Sequence, residues 1–399
     1  MDDKGYTLED SGCKDRCVLL VSGRIDSSNA ENFAEDLKSL LSDGRASDGL
    51  EMNLNGLTYI SSTGLRILLG LRKQQGHQLR LVDVDDAVYN ILEMTGFTNI
   101  FQVRRKLREF DVTPYKEMDR GATGVIYRID DDTILKLYPP GKDISFAEDE
   151  LRQSRLALVY GVPTAIPFEI VKNGDAYGVL FELVKADTAA KVIMAEKSDR
   201  EVAEWGRRLG RLLKEIHSLS ADTAQIRSVK ELYISRLRML TGYLTSEQID
   251  DLISLVMKVP DVNTMLHGDF HVRNIMLQNG ELLMIDMGDM GYGHPIFDLS
   301  MTFISSRYQP YRCPDVIGLS PERALIVWDQ MLREYFGTED ETVLAAKNRM
   351  IRAFACPRML LFPVIIPNST DEFKQEWIDN GLRLLPDFRE VVNEIGSFI

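Results

Sequence analysis

Cysteine is scarce in this chain: Cys13, Cys17, Cys313 and Cys356 are scattered through 399 residues. That spread excludes a disulfide scaffold, and Cys13 and Cys17 lack the nearby histidine or second cysteine pair that a zinc site needs. Reduced thiols and a cytoplasmic location are the expectation. Positive charge is also in deficit, with 47 Lys and Arg against 61 Asp and Glu, a formal net charge of −14. A surface of that sign argues against a nucleic-acid partner and against adsorption to an anionic membrane. Long apolar runs are missing too. The most apolar stretch near the end, residues 359–366, is short and broken by Pro363, and nothing approaches the length of a membrane-spanning helix. The opening MDDKGYTLED has no basic segment followed by an apolar one, so no signal peptide is expected.

What is present supports folded domains. Hydrophobic residues make up 44% and charged residues 27%, and the length suits two or three domains. The pattern changes near residue 105. Before it, short apolar runs alternate with amphipathic segments. Residues 18–21 read as a strand. Ser28 and Glu31 have capping-box spacing and open a helix with Ala30, Phe33, Leu37, Leu40 and Leu41 on one face. Residues 50–57 read as a strand, Ser61-Ser62-Thr63-Gly64 as a helix start, 79–82 as a strand and 86–94 as a helix. This order predicts a small α/β domain over residues 1–105. The basic stretch 103–108 reads as a solvated connector, and 106–112 as a linker. From Tyr115 the pattern turns β-rich, and after about Lys185 it is mainly helical.

The second region holds one candidate for each role in phosphoryl transfer: a phosphate cradle, a cation, metal ligands and a group beside the acceptor hydroxyl. Gly121 and Gly124 bracket a turn that lets backbone approach phosphates without a Cβ in the way. Lys136 lies between apolar neighbours in TILKLY, and Glu150, with Glu148 as a rival, stands on the next helix to pair with it. The most specific pattern is His267-Gly-Asp269-Phe-His271-Val-Arg-Asn274, followed by Asp286 in LLMIDMGD. A carboxylate, a carboxamide five residues on and a second carboxylate after a short strand pair bring together hard oxygen donors of the kind magnesium takes. Asp269 is placed to orient the acceptor proton, Asn274 and Asp286 to hold the metal, and His267 to brace the loop.

Residues 113–330 resemble the aminoglycoside phosphotransferase and choline kinase group. The resemblance is carried by GATGVIY, ILKLY, GVPTAIP, VLFELV, LHGDFHVRN and LMIDMGD. It implies a two-lobed, protein-kinase-like α+β fold over 113–399, with an N-lobe at about 113–184, a C-lobe at about 185–399 and ATP in the cleft between them. By position it implies Lys136 on the α- and β-phosphates, Glu150 as its partner, Asp269 as the catalytic base and Asn274 and Asp286 on Mg2+. It further implies backbone near Glu182 and Val184 facing adenine, and Asp298 steadying the catalytic loop. His271 matches a histidine common in the small-molecule kinases of the group, which points to a small-molecule hydroxyl acceptor. An arginine-aspartate catalytic triplet and an APE motif are both missing, which weakens a protein-kinase reading.

Residues 5–105 resemble the STAS domain of anti-sigma-factor antagonists, on VSGRIDSSNAENF and LTYISSTGLRILL. That resemblance implies a docking module for a protein partner, with Thr63, and Ser62 beside it, at the phosphorylated position. The antagonists usually carry aspartate where this chain has Ser61. Two readings follow. In the first, the chain is an ATP- and Mg2+-dependent phosphotransferase with a regulatory domain. In the second, it is a regulatory protein whose kinase-like part is a nucleotide-dependent switch, or phosphorylates Thr63, Ser62 or a partner.

Overall fold

A computed structural model describes residues 4–12, 17–42, 49–75, 79–121, 124–366 and 369–398. Cys13 lies outside them. The chain divides into two units, Met1–Glu109 and Phe110–Ile399.

In the first unit the strand Tyr6–Asp10 runs antiparallel to Cys17–Ile25, and the rest of the sheet is parallel. Leu50–Asn53 pairs with Cys17–Ile25 on one side and with Leu79–Val84 on the other. Parallel strands need crossover connections, and the helices Ala30–Leu40, Ser62–Gln75 and Asp86–Met94 supply them. Leu19, Met52, Leu81 and Val84 of the strands bury against Phe33, Leu68 and Val88 of the helices.

Four local expectations are corrected here. The capping box at Ser28–Glu31 does not form. Ser28 donates instead to Asp26 Oδ1 at 2.6 Å, and Asn29 caps nothing with its side chain because it bonds Asp26 N, Lys4 O and Arg24 O. Residues 50–57 are not one strand. Asn53 Oδ1 accepts from Asn55 N at 2.9 Å, Gly56 takes φ +89, and the chain restarts as Leu57–Ile60. The basic segment is not a free connector either, since Gln102–Arg105 is a strand beside Leu79–Val84 with Arg105 over the Tyr89 ring. Beyond it, Phe110 is buried with Leu135, Leu137 and Val171, with Val112 packed against them, so part of the 106–112 linker is core.

The second unit has the two-lobed, kinase-like arrangement. Its first part is antiparallel: Lys116–Arg120, Val125–Arg128, Thr133–Leu137 and Ala176–Glu182 pair in that order, with Pro167–Asn173 beyond. The helix Ser145–Val159 packs on this sheet. The second part is helical. Asp199–Ser218 lies against Pro321–Phe336 with Gly206 and Gly210 at the contact. A Cβ on these glycines would stand 2.7 Å from Val327 O and 2.6 Å from Met331 O, so only glycine allows the approach. Ser198 and Glu201 form a complete capping box at the start of that helix. Ser198→Ala is expected to cost about 1 kcal/mol, read as a lower urea midpoint for this unit with an unchanged slope.

Candidate active site

Lys136 sits mid-strand opposite Ile126 and Val179 and is 7% exposed. Alternation puts its side chain on the face covered by the helix Ser145–Val159. That helix buries Ala147, Glu150, Ser154 and Ala157 at helical spacing. Glu150 is thus the one acid of its turn that points inward, while Glu148 is exposed. Lys136 Nζ donates to Glu150 Oε1 and to Asp286 Oδ1, both at 2.8 Å. Burial alone would lower the lysine's pKa, but Asp286 and Glu150 outweigh it and hold the ammonium above its ordinary value. Burial pushes Glu150 up to about 7, against the pull of Lys136. Tyr138 donates its hydroxyl to Glu150 Oε2.

The loop 267–274 follows the short strand Met265–Leu266, which pairs with Gly291–Tyr292. Asp298, fully buried on the helix Ile296–Phe303, accepts from His267 N at 2.8 Å and Gly268 N at 2.6 Å. His217 Nε2 stands 3.1 Å from Asp298 Oδ2, and its Nδ1 is 2.7 Å from the Tyr335 hydroxyl. An ionised Asp298 only accepts, so Nε2 carries a proton and donates to it, while Nδ1 meets the Tyr335 hydroxyl. Gly268 has φ +85, and a Cβ there would meet Asp289 O at 2.3 Å, which packs the loop directly on the 286–289 segment. Thr302 Oγ1 donates to Phe270 O at 2.8 Å.

These anchors bring the predicted residues together. Asn274 Nδ2 donates to Asp269 O at 3.0 Å and Asp269 Oδ2 at 3.3 Å, which leaves the Asn274 carbonyl oxygen to face away from Asp269. Ile285 N donates to Asn274 O at 2.9 Å, so Asp286 follows directly beside Asn274. Asp286 takes φ +62, a left-handed conformation a non-glycine residue holds at some cost in strain, and keeps a side-chain oxygen beyond the one facing Lys136. Burial pushes the Asp269 carboxyl up, but His271 at 3.5 Å, then Arg358 and His267, hold it well below the usual carboxylate range. No cluster of three His, Cys, Asp or Glu side chains among the described residues forms a ready metal cage. The oxygen pair of Asn274 and Asp286 fits magnesium, which takes few protein ligands and completes its shell with phosphate and water.

The remaining predicted residues fall as follows. Gly121 N donates to Gly124 O at 2.9 Å, closing the turn, while residues 122–123 lie outside the described residues. Gly124 has a packing reason of its own, since a Cβ there would stand 2.5 Å from Leu137 O. The amides of Glu182 and Leu183 are taken by Ile166 O and Asp132 O, whereas Val184 N has no partner among the described residues. In the first unit Ser62 is exposed and Thr63 half-buried in the first turn of Ser62–Gln75, with Ser61 Oγ accepting from Gly64 N.

Sequence reasoning missed several groups. Arg358, 3% exposed on the helix Glu341–Leu360, reaches within 3.8 Å of Asp269 Oδ1 and 3.7 Å of Asp289 Oδ2. Arg236 donates to Asp289 Oδ1 at 2.9 Å. Arg227 donates to Met290 O and Gly288 O, clamping the segment after Asp286. Tyr138, two residues from Lys136 in extended chain, carried a readable signal. The arginines carried none, because only the fold brings them to the site.

Residues 115–320 match the model of the phosphotransferase enzyme family. The chain belongs to that family. Residues 8–110 match the STAS domain, so a kinase-like phosphotransferase domain follows a STAS domain here. BtrV of Bordetella bronchiseptica, which carries the description anti-sigma factor antagonist, is 33% identical over 90 residues, 22% of this chain and 75% of that protein. Among solved structures, a streptomycin–ATP complex of the aminoglycoside phosphotransferase APH(2″)-IIa is 15% identical, with 73% of this chain and 95% of that chain covered and a TM-score of 0.44. A choline/ethanolamine kinase family protein from Mesorhizobium loti is 13% identical, with 70% and 92% covered and a TM-score of 0.46. The phosphotransferase match ends at residue 320, before the helix that carries Arg358. No helix among the described residues is long and apolar enough to cross a membrane.

Proposed function

We propose that this phosphotransferase uses ATP and magnesium to phosphorylate a hydroxyl of a small molecule in the cytoplasm, and that its STAS domain docks a protein partner. The observation that carries the reading is the convergence of Lys136 on Glu150 and Asp286 at 2.8 Å, next to a loop in which Asn274 bonds Asp269. Lys136, held charged by two acids, binds the α- and β-phosphates, and Glu150 fixes where its ammonium points. Gly121 and Gly124 place the turn over the phosphates, and the backbone at Glu182 and Val184 faces the adenine, with the Val184 amide free to donate. Asn274 and Asp286 hold magnesium, which when bound neutralises charge on the phosphate oxygens. Asp269 accepts the hydrogen bond of the acceptor hydroxyl. A carboxylate kept this acidic is a weak base, so its main work is to aim that oxygen at phosphorus and to take the proton late. The STAS proposal rests on the family match and the likeness to BtrV, with Ser62 and Thr63 as its candidate modification site.

Mg–ATP is expected to raise the melting temperature of the full chain by several degrees through ligand linkage. Asp286→Ala should remove that shift. An undiminished shift in the variant would show that Asp286 does not hold the metal.

A further inference from the structure

Two arginines beside Asp269, Arg236 and Arg358, keep N–H groups that no carboxylate takes. Asp289 takes the Arg236 hydrogen bond at 2.9 Å and also lies 3.7 Å from Arg358. Asp269 lies 3.8 Å from Arg358 and 3.5 Å from His271. Asp286 and Glu150 share Lys136. Each acid of the cluster thus lies within 4 Å of a basic side chain, with Arg358 and Lys136 each shared by two of them. Meanwhile Arg236 Nη1 and Arg358 Nε are buried with no hydrogen-bond partner among the described residues. Buried N–H groups left unmade carry a desolvation penalty that an incoming acceptor atom relieves. The cluster is closed at the back and open at the front: Arg358 keeps 4% of its side-chain surface, whereas Arg236, Asp289 and Asp269 keep 21%, 23% and 26%. A guanidinium presents a planar fork that matches oxyanions and repels amines.

We propose that Arg236 and Arg358 form an oxyanion subsite beside Asp269, and that the acceptor is a hydroxyl compound bearing a carboxylate or phosphate rather than an amine. The proposal rests on the phosphoryl-transfer reading of the site. It adds the substrate class: the anionic group docks on the two arginines and leaves the hydroxyl beside Asp269.

The test measures melting of the full chain with saturating Mg–ADP, adding malonate or ethanolamine as the probe. Malonate is expected to raise the melting temperature by about 3 °C at roughly ten times its Kd, ethanolamine to give no shift, and Arg236→Gln to lose the malonate shift. Glutamine keeps a donor for Asp289, which Arg236 holds at 2.9 Å; the melting temperature of the variant without ligand reports whether it folds, and the comparison of the two probes stands in the wild type alone. An ethanolamine shift as large as that of malonate overturns the proposal, as does a malonate shift that is missing or unchanged in Arg236→Gln. The γ-phosphate is the other oxyanion that could use these arginines. If the malonate shift disappears when a non-hydrolysable ATP analogue replaces ADP, the arginines serve the nucleotide and the proposal falls. An Arg236-dependent malonate shift in a protein that Mg–ADP does not stabilise would instead sink the phosphoryl-transfer reading and leave the anion site standing.

Discussion

Asp269→Asn is expected to lower turnover by about 10²- to 10⁴-fold while leaving the Mg–ATP melting shift close to that of the wild type. The substitution keeps the side chain's shape, and the contact from Asn274 to the backbone oxygen of residue 269 at 3.0 Å does not depend on the carboxylate. It removes the charge that His271 and Arg358 stabilise and the acceptor oxygen that would receive the hydroxyl proton. Lys136, Glu150 and Asp286 are untouched, so nucleotide affinity should survive. The measurement is ADP formation with an acceptor found by screening hydroxyl compounds, alongside the melting shift. Activity equal to the wild type would refute the assignment of Asp269. Loss of the nucleotide shift together with activity would mean that Asp269 serves ATP binding and not the acceptor.

Much of this site is legible in the sequence because its chemistry is local. Asp269 and Asn274 are five residues apart in one loop, and Asp286 follows after one hairpin, so the three donors can be placed without knowing the fold. Lys136 and Glu150 needed one more step, the helical face that turns Glu150 inward with Ala147 and Ser154 and leaves Glu148 in water. Where local signals compete, the sequence misleads. Ser28 and Glu31 have capping-box spacing, yet Asp26 takes the Ser28 hydroxyl and Asn29 is spent on three backbone groups. Residues 50–57 are apolar enough for one strand, but the Asn53 side chain and the positive φ of Gly56 turn the chain back within it. The arginines are a different case. Arg358 is 89 positions from Asp269, and in a helix that carries Pro357 just before it, it resembles any other basic residue. Its partnership exists only after the C-terminal helices pack.

The same dependence on tertiary contact gives Asp298→Ala the largest expected loss of stability, about 3–5 kcal/mol. Asp298 is fully buried and accepts from His267 N, Gly268 N and His217 Nε2. Alanine would leave two loop amides and an imidazole without their acceptor in a site that water does not reach. Urea unfolding of the second unit measures the loss, and a midpoint within error of the wild type would remove Asp298 from its anchoring role. Acid adds a second check. Burial would raise the Asp298 carboxyl, but His217, His267 and the loop amide outweigh it and hold it below its ordinary value. A carboxyl depressed in the folded state contributes stability that is present above its unfolded pKa and is lost as pH falls through its folded pKa. The wild-type and Asp298→Ala stabilities should therefore converge as the pH drops below the usual carboxylate range, near 4. A gap that stays constant on acidification would mean that the Asp298 charge contributes nothing and that the side chain acts through packing alone. Because Asp298 grips the two residues just before Asp269, the variant should also lose turnover beyond what its unfolded fraction explains, measured at a temperature where both proteins are folded.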